Sequence, residues 1–325
     1  MTPKRIFLTG ASGCIGHYLS EALIQETDHE LFLLVRNPDK IKFDYTARPG
    51  ITLVQGDMRE IEQFADLLQT IDCAILTATA WGDPQETYDV NVVKTIRLMN
   101  LLNPEVCKQV IYFSTASILG RDNQVLKEAG ELGTDYVRSK YQCFHQLSKL
   151  AIAPHITTVF PTLVLGGDDE KPYSHLSSGI AEVMKWRSLL RFIKAEGSFH
   201  FIHGRDIAQV VRCLIDPPAN VTLPSTNQLV LGNKPVTVDQ AIADVSTYFN
   251  QRTYFRIPLS LGLANFLIVL FRIQMAAWDR FCLTYRDFTY QNPVSPATFG
   301  LPTYCATFTD ILKISGIPSK TRDHR

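Results

Sequence analysis

Tyr136 and Lys140 are the side chains of this sequence best suited to proton transfer. They stand four residues apart in YVRSK, which on a helix places a phenol and an ammonium group one turn apart on the same face. A cation close to a phenol favours the phenolate, so the pair predicts a general acid/base whose tyrosine pKa is lowered toward neutral pH. The preceding segment FSTAS supplies hydroxyl groups that can hold a substrate oxygen: Ser114, Thr115 and Ser117.

A glycine-rich turn follows the first predicted strand. It reads GASGCIG, between RIFLT and the helical pattern HYLSEALIQ, and its glycines have the spacing GxxGxxG. Glycines let the backbone turn tightly and approach a pyrophosphate at the N-terminus of a helix. The turn therefore predicts a dinucleotide site, with contacts from Gly10, Ser12, Gly13, Cys14, Ile15 and Gly16.

The ends of the next strands indicate which dinucleotide binds. The run LFLLV ends at Arg36, where NAD-binding proteins of this type place an acidic residue for the ribose hydroxyl and where an arginine suits a 2'-phosphate. The cofactor is therefore predicted to be NADP rather than NAD. Two further groups at strand ends are expected to lie against it: Asp57 with Met58, and Thr77, Ala78 and Thr79.

Short apolar runs alternate with helix-length segments through the first half of the chain. Several of these runs lack period-two alternation, which is typical of parallel strands buried on both faces and predicts an α/β fold, a Rossmann-type doubly wound parallel sheet. Beyond Pro161 the rhythm gives way to connections rich in Gly, Pro and Ser. We predict an NADP-binding domain over residues 1–160 and a smaller substrate-binding portion over 161–325, with segments such as NQLVLG returning to the main sheet.

Composition limits the partners of this chain. Lys plus Arg and Asp plus Glu both number 32 and no basic tract is present, so nucleic acid is not an expected partner. The seven cysteines are scattered without a CxxC pair and the chain starts MTPKRIFLTGASG, which predicts a cytoplasmic protein without an export signal. His200 and His203 form an HxxH pattern, but in a strand-like segment they point to opposite faces, so no metal is expected.

One segment stands out by its lack of charge. Ile257 to Phe271 contains no charged residue over fifteen positions and is flanked by Arg256 and Arg272. It is shorter than the roughly 20 residues that span a bilayer. A buried core helix is the favoured interpretation, a peripheral membrane contact is the next, and the wall of an apolar substrate pocket is the third.

These motifs together resemble the extended branch of the short-chain dehydrogenase/reductase superfamily, which includes epimerases, dehydratases, 3β-hydroxysteroid dehydrogenases and dihydroflavonol-type reductases. The resemblance covers nearly the whole chain through GASGCIG, GDM, FSTASILG, YVRSK, FPTLVLGG, FIHGRDIAQ and TFTDILKISGIP. It implies Tyr136 as general acid/base, Lys140 as the residue that lowers its pKa and binds the nicotinamide ribose, and Thr115 as the residue that orients the substrate. It also implies Pro161 and Leu163 near the nicotinamide. This chain has Phe160 where the family usually has an arginine before the proline.

Three functions follow from these features. The first is an NADP-dependent oxidoreductase that interconverts a ketone and a secondary alcohol, with a small-molecule substrate. The alternative is a nucleotide-sugar epimerase or dehydratase that uses the same Tyr136 and Lys140, and Arg36 weighs against it because many such enzymes resemble the acidic, NAD-holding version. A non-catalytic NADP-sensing protein is the third, disfavoured by the intact Tyr136, Lys140 and Thr115. A homodimer is compatible with all three.

Overall fold

The computed structural model describes residues 2–219 and 221–319. Its strands are β1 (Arg5–Thr9), β2 (Glu30–Val35), β3 (Ile51–Gln55), β4 (Cys73–Leu76), β5 (Gln109–Phe113), β6 (Ile156–Pro161), β7 (Leu163–Leu165), β8 (Ile193–Lys194), β9 (Ser198–Phe199), β10 (Phe201–His203), β11 (Gln228–Leu231), β12 (Val236–Thr237), β13 (Ile257–Pro258) and β14 (Asp287–Phe288). Its helices are α1 (Cys14–Glu26), α2 (Ala65–Leu68), α3 (Pro84–Tyr88), α4 (Thr95–Leu101), α5 (Lys127–Glu131), α6 (Asp135–Leu147), α7 (His175–Lys185), α8 (Arg187–Leu190), α9 (Gly204–Ile215), α10 (Val238–Tyr248), α11 (Leu261–Leu270), α12 (Ala277–Tyr285) and α13 (Phe308–Ile314).

The main sheet has seven parallel strands in the order β11-β6-β5-β4-β1-β2-β3. This is the Rossmann order extended by one strand, and it confirms the predicted fold class. The chain reverses direction across the sheet between β1 and β4, so a crevice opens at the carboxyl ends of these two strands. Strand β11 comes from residues beyond 161, as expected for the segment NQLVLG.

Apolar packing on both faces of this sheet explains why its strands lack alternation. Strand β4 is buried along its whole length, and β1 is buried from Ile6 to Thr9. One core cluster contains Leu19 and Leu23 of α1 together with Val210 and Val211 of α9. A second contains residues of α4 and α6 on the opposite face. Both faces exclude water, so the sheet holds the strand ends that carry the site in a rigid arrangement.

The uncharged segment Ile257–Phe271 lies at the surface, so the core interpretation is wrong. Val269 is 76% exposed and Phe271 is 68% exposed, whereas Ala264 is buried. The segment is attached to the rest of the chain through β13, which pairs with β8 at the periphery instead of entering the main sheet. Among residues 2–219 and 221–319, no helix is long and apolar enough to cross a membrane.

Candidate active site

A large cavity occupies the crevice at the carboxyl ends of the parallel strands. Its volume is about 1230 Å³, and its walls come from both the predicted NADP-binding part and the predicted substrate-binding part. The predicted site residues that line it are Gly10, Gly13, Cys14, Ile15, Gly16, Thr77, Thr79, Thr115, Tyr136, Lys140, Pro161 and Leu163. Residues far apart in the sequence therefore meet around one space.

The glycine turn is shaped for close approach of a ligand to the backbone. Gly10 has a φ of +74°, and a Cβ added there would lie 2.7 Å from Thr77 Oγ1. A Cβ at Gly16 would lie 2.0 Å from the carbonyl oxygen of Gly10. Only glycine fits at these two positions. The turn ends at Gly13, the N-cap of α1, where no side chain caps the helix.

This arrangement fits a dinucleotide pyrophosphate. The first backbone N–H groups of a helix lack intrahelical partners and favour an anion, and Cys14, Ile15 and Gly16 of α1 border the cavity. Ser114 also borders it, and its buried hydroxyl has no hydrogen-bond partner among the described residues. Ser12 is half-buried in the same turn but does not line the cavity.

Two hydrogen bonds join the turns that follow β1 and β4. Thr77 donates a hydrogen bond from Oγ1 to the carbonyl oxygen of Thr9 at 2.6 Å, and the N–H of Ala78 donates to Thr9 Oγ1 at 3.2 Å. Thr77 and Thr79 line the cavity, whereas Ala78 lies behind it. The two turns are thus fixed to each other at the point where the strand order reverses.

Arg36 lies beyond β2 with its side chain 68% exposed, outside the lining of the cavity. Asp57, after β3, accepts a hydrogen bond from the Arg59 side chain at 2.8 Å and lies 3.9 Å from Arg36. This bond to Arg59 holds the pKa of Asp57 below its ordinary value. Met58 is 8% exposed, and its side chain belongs to a core cluster. Arg36 and Arg59 are both exposed cations, but Arg59 is hydrogen-bonded to Asp57, so Arg36 has the side chain better placed to meet a phosphate.

The Tyr136 and Lys140 pair lies on one face of α6, as the spacing predicts. Thr134 caps the helix with a hydrogen bond from the N–H of Val137. Lys140 Nζ lies 5.9 Å from the centre of the Tyr136 ring and donates a hydrogen bond to the carbonyl oxygen of Phe113 at 2.8 Å. An ammonium group has three donors, so this bond leaves donors of Lys140 for a ligand in the cavity.

The predicted lowering of the Tyr136 pKa is wrong for the protein without a bound ligand. Burial raises the pKa of Tyr136 to about 12, and the Thr115 hydroxyl opposes this rise. Burial also lowers the pKa of Lys140 from 10.5 to about 8. Removing a charged form from water disfavours it, which accounts for the direction of both shifts. The phenol form of Tyr136 is therefore favoured at neutral pH.

Trp81 is a site residue that the sequence analysis missed. Its ring stacks on the ring of Tyr136 with a centroid distance of 3.6 Å and an interplanar angle of 15°. The ring of His175, on α7, is also stacked with the ring of Trp81, at a centroid distance of 5.9 Å. Trp81 is 55% exposed, so an aromatic residue partly open to solvent covers the proposed acid/base. The tryptophan directly after the run ILTATA is the signal that the sequence offered.

Asn91 is the second missed residue. It is fully buried, and its side chain bonds to Thr79 Oγ1 at 3.0 Å, to both backbone groups of Ala80, and to Ser139 Oγ at 3.0 Å. It lies on a π-helical turn, Asp89–Lys94, a conformation frequent at functional sites. Asn91 therefore ties the loop after β4 to the helix that carries Tyr136. The polar residue in the apolar pattern VNVV was its signal.

No metal centre is evident in the part of the chain that the structure describes, since no three His, Cys, Asp or Glu side chains cluster there. His200 Nδ1 lies 2.6 Å from the carbonyl oxygen of Asn233, and its Nε2 accepts a hydrogen bond from the N–H of Tyr290. His203 caps α9 by accepting from the N–H of Arg205. Both histidines have structural partners.

Comparison with known proteins identifies the family. Residues 6–228 match the NAD-dependent epimerase/dehydratase family, which is more than two thirds of the chain. The chain belongs to this family. The predicted membership of the extended short-chain dehydrogenase/reductase superfamily is confirmed, and the match supports an NAD(P)-dependent enzyme with a nicotinamide cofactor over a non-catalytic sensor.

Individual relatives are distant. Sterol demethylase protein B of Methylococcus capsulatus is 27% identical over 220 residues, which are 64% of this chain and 65% of that protein. The match therefore spans slightly less than two thirds of this relative's own length. The crystal structure of gox2253 has a TM-score of 0.66 at 19% identity and covers 96% of this chain and 97% of its own. That of dTDP-glucose 4,6-dehydratase from Bacillus anthracis, in complex with NAD, has a TM-score of 0.62 at 13% identity and covers 96% of each chain. Both structures share the fold.

Proposed function

We propose that this protein is an NADP-dependent oxidoreductase that interconverts a ketone and a secondary alcohol on an apolar small molecule. The observation that carries the proposal is the charge of the cavity wall. Among the described residues that line it, Lys140 is the only Lys, Arg, Asp or Glu side chain. The part of the cavity beyond the proposed nicotinamide site is bordered by apolar and aromatic residues: Ile180, Val183, Met184, Phe199, Phe201, Trp278 and Phe308.

This lining suits an apolar substrate better than a nucleotide sugar. A diphosphate carries two negative charges, and burying it without cationic partners costs several kcal/mol. Lys140 is already assigned to the nicotinamide ribose, so no arginine or lysine of the described wall is left for a second diphosphate. An apolar ligand instead gains about 25 cal/mol for each Å² removed from water. The name of the relative sterol demethylase protein B, which refers to an apolar molecule, agrees with this class.

The cofactor would lie across the crevice between β1 and β4. The turn Gly10–Gly16 would hold its pyrophosphate, Lys140 its nicotinamide ribose, and Pro161 and Leu163 would border the nicotinamide. Arg36 would pair with the 2'-phosphate, which is the basis for proposing NADP over NAD. When bound, the nicotinamide supplies the hydride to a ketone or accepts it from an alcohol.

The side chains of this chain then move the proton. Thr115 would orient the substrate oxygen through its hydroxyl. In reduction, the O–H of Tyr136 donates its proton to the carbonyl oxygen while the carbonyl carbon gains the hydride, and solvent later returns a proton to Tyr136. In oxidation the same phenol must first be deprotonated. The Lys140 ammonium group would stabilise that phenolate, because an opposite charge nearby favours the charged form.

A nucleotide-sugar epimerase or dehydratase is the second candidate, because the family match includes such enzymes. The same Tyr136 and Lys140 would serve it, but the cofactor would be reoxidised within each turnover. The two candidates therefore differ in net NADPH consumption as well as in ligand charge.

Thermal-shift titration with NADPH present separates them. Steroid-like and flavonoid-like ketones should raise the melting temperature in a concentration-dependent manner, and the ketones that bind should cause NADPH oxidation followed by absorbance. UDP-glucose and dTDP-glucose should do neither. Stabilisation by a sugar nucleotide and its conversion without net NADPH oxidation, with no response to ketones, would contradict the proposal and establish the second candidate.

A further inference from the structure

The largest group of exposed apolar side chains lies on the segments around α8 and α11. We call it the apolar face; it consists of Trp186, Leu189, Tyr254, Phe255, Ile257, Phe266, Val269, Leu270, Phe271 and Ile273, each more than half exposed. Its two segments are joined directly. Strand β13 pairs with β8, and the rings of Phe192 and Phe255 stack with a centroid distance of 5.1 Å.

Helix α11 has no polar face that would suit contact with water. Its sequence LGLANFLIVL carries no charge around the whole helix, and Ala264 is its one described residue that is buried. A helix that is apolar all round is normally covered by protein or lipid. Monomers rarely expose apolar patches beyond a few hundred Å². At a rise of 1.5 Å per residue, the ten residues reach only about 15 Å, half of a bilayer core.

The segments that carry the apolar face are rich in positive charge, although the chain as a whole is neutral. Residues 183–195 contain four Lys or Arg and residues 245–278 contain three, and neither segment contains Asp or Glu. Lys185 pairs with Glu182 and Arg256 with Asp239. Within residues 2–219 and 221–319, the other five have no carboxylate within 4.0 Å: Arg187, Arg191, Lys194, Arg252 and Arg272.

We propose that the apolar face docks this protein on a bilayer rich in anionic phospholipid. An uncharged helix flanked by cations matches the boundary between acyl chains and anionic headgroups, where apolar burial and charge attraction act together. A second copy of the chain would bring two cationic rims together, so the charge favours lipid over self-association. This proposal is independent of the proposed reaction.

A second consequence, on substrate entry, rests on the apolar substrate of the proposed function, whereas docking itself does not. Val183 of α7 lines the cavity and is 52% exposed, and only Trp186 separates α7 from α8. Helix α7 therefore contributes to the cavity wall and is followed directly by α8, which carries part of the apolar face. An apolar substrate dissolved in the bilayer would reach the cavity from this side.

Vesicle co-sedimentation of the full chain tests the proposal. Wild-type protein should sediment with phosphatidylcholine vesicles that contain phosphatidylglycerol at low salt, and binding should weaken as salt is added. Val269→Glu combined with Phe271→Glu should reduce the partition coefficient by at least tenfold, because two exposed apolar side chains no longer enter the bilayer. The matched control is Tyr45→Glu with Val93→Glu, which adds the same charge at exposed sites elsewhere and should bind like the wild type.

The electrostatic part has its own pair of variants. Arg252→Gln with Arg272→Gln should weaken binding to anionic vesicles by about fivefold for each charge removed. Arg97→Gln with Lys127→Gln, two exposed cations on other elements, should have no comparable effect. Circular dichroism would verify that every variant is folded.

Two outcomes would overturn the proposal. One is a folded wild-type protein that fails to sediment with anionic vesicles at low salt. The other is unchanged binding in the variant with glutamates at 269 and 271. If sedimentation velocity showed a dimer that this variant converts to a monomer, with no vesicle binding, a second copy of the chain would be the occupant of the apolar face.

Discussion

The buried charge of Lys140, which the proposed chemistry requires, should destabilise the folded protein. It is 2% exposed, and burial lowers its pKa from 10.5 to about 8. The lowering corresponds to about 3 kcal/mol of unfolding free energy lost when the group is charged in both states. This cost is present in full below pH 8, where Lys140 is charged in both states. Between pH 8 and 10.5 the unfolded chain binds more protons than the folded one, so stability rises with pH and the cost has largely disappeared at pH 10.5.

Lys140→Met keeps the length of the side chain and removes the charge. The carbonyl oxygen of Phe113 loses its donor, a hydrogen bond of 2.8 Å, and a buried acceptor left without a partner costs about 1 to 3 kcal/mol. At pH 7 the variant without cofactor should therefore be more stable than the wild type by up to about 2 kcal/mol. Near pH 10.5 the order should reverse, since only the loss of the hydrogen bond remains.

Urea denaturation followed by circular dichroism at pH 7 and pH 10.5, without cofactor, measures both values. Lys149→Met, which removes an exposed lysine just after the same helix, is the matched control and should follow the wild type at both pH values. NADPH affinity and turnover should fall only in Lys140→Met. A difference between Lys140→Met and the wild type that stays constant from pH 7 to pH 10.5 would refute the argument that Lys140 is strained by desolvation.

Three further substitutions test other parts of the site. Tyr136→Phe should lower turnover by about 10² to 10⁴ while NADPH binding survives, whereas Tyr141→Phe on the same helix should keep full activity; equal activity of the two variants would remove Tyr136 from the mechanism. Arg36→Ala should weaken the affinity for NADPH by about tenfold or more and the affinity for NADH little, with Arg97→Ala as control. An equal loss of affinity for both cofactors by titration would exclude pairing with the 2'-phosphate. Asn91→Ala leaves both backbone groups of Ala80 without their side-chain partner and removes one of the two hydrogen bonds of Ser139 Oγ, so it should cost about 2 to 4 kcal/mol in urea denaturation; a loss below about 0.5 kcal/mol would contradict its role as the link between the β4 loop and α6.

Local features of the site were predictable because short-range geometry determines them. Helical periodicity alone places Tyr136 and Lys140 on one face of α6. The turn after β1 needs glycine because of its own backbone angle at Gly10 and its close contact at Gly16. The doubly wound sheet followed from apolar strands without alternation, and the structure confirms it.

Properties that depend on distant residues were decided only by the tertiary structure. The pKa of Tyr136 is set by burial among elements far away in the sequence, and this burial reverses the direction expected from Lys140 alone. Trp81 reaches Tyr136 across fifty-five positions of sequence, which no local pattern encodes. The apolar run of α11 has the composition of a core helix, but composition alone does not determine whether a helix is buried or exposed. Its exposure follows from where β13 and β8 attach it to the fold.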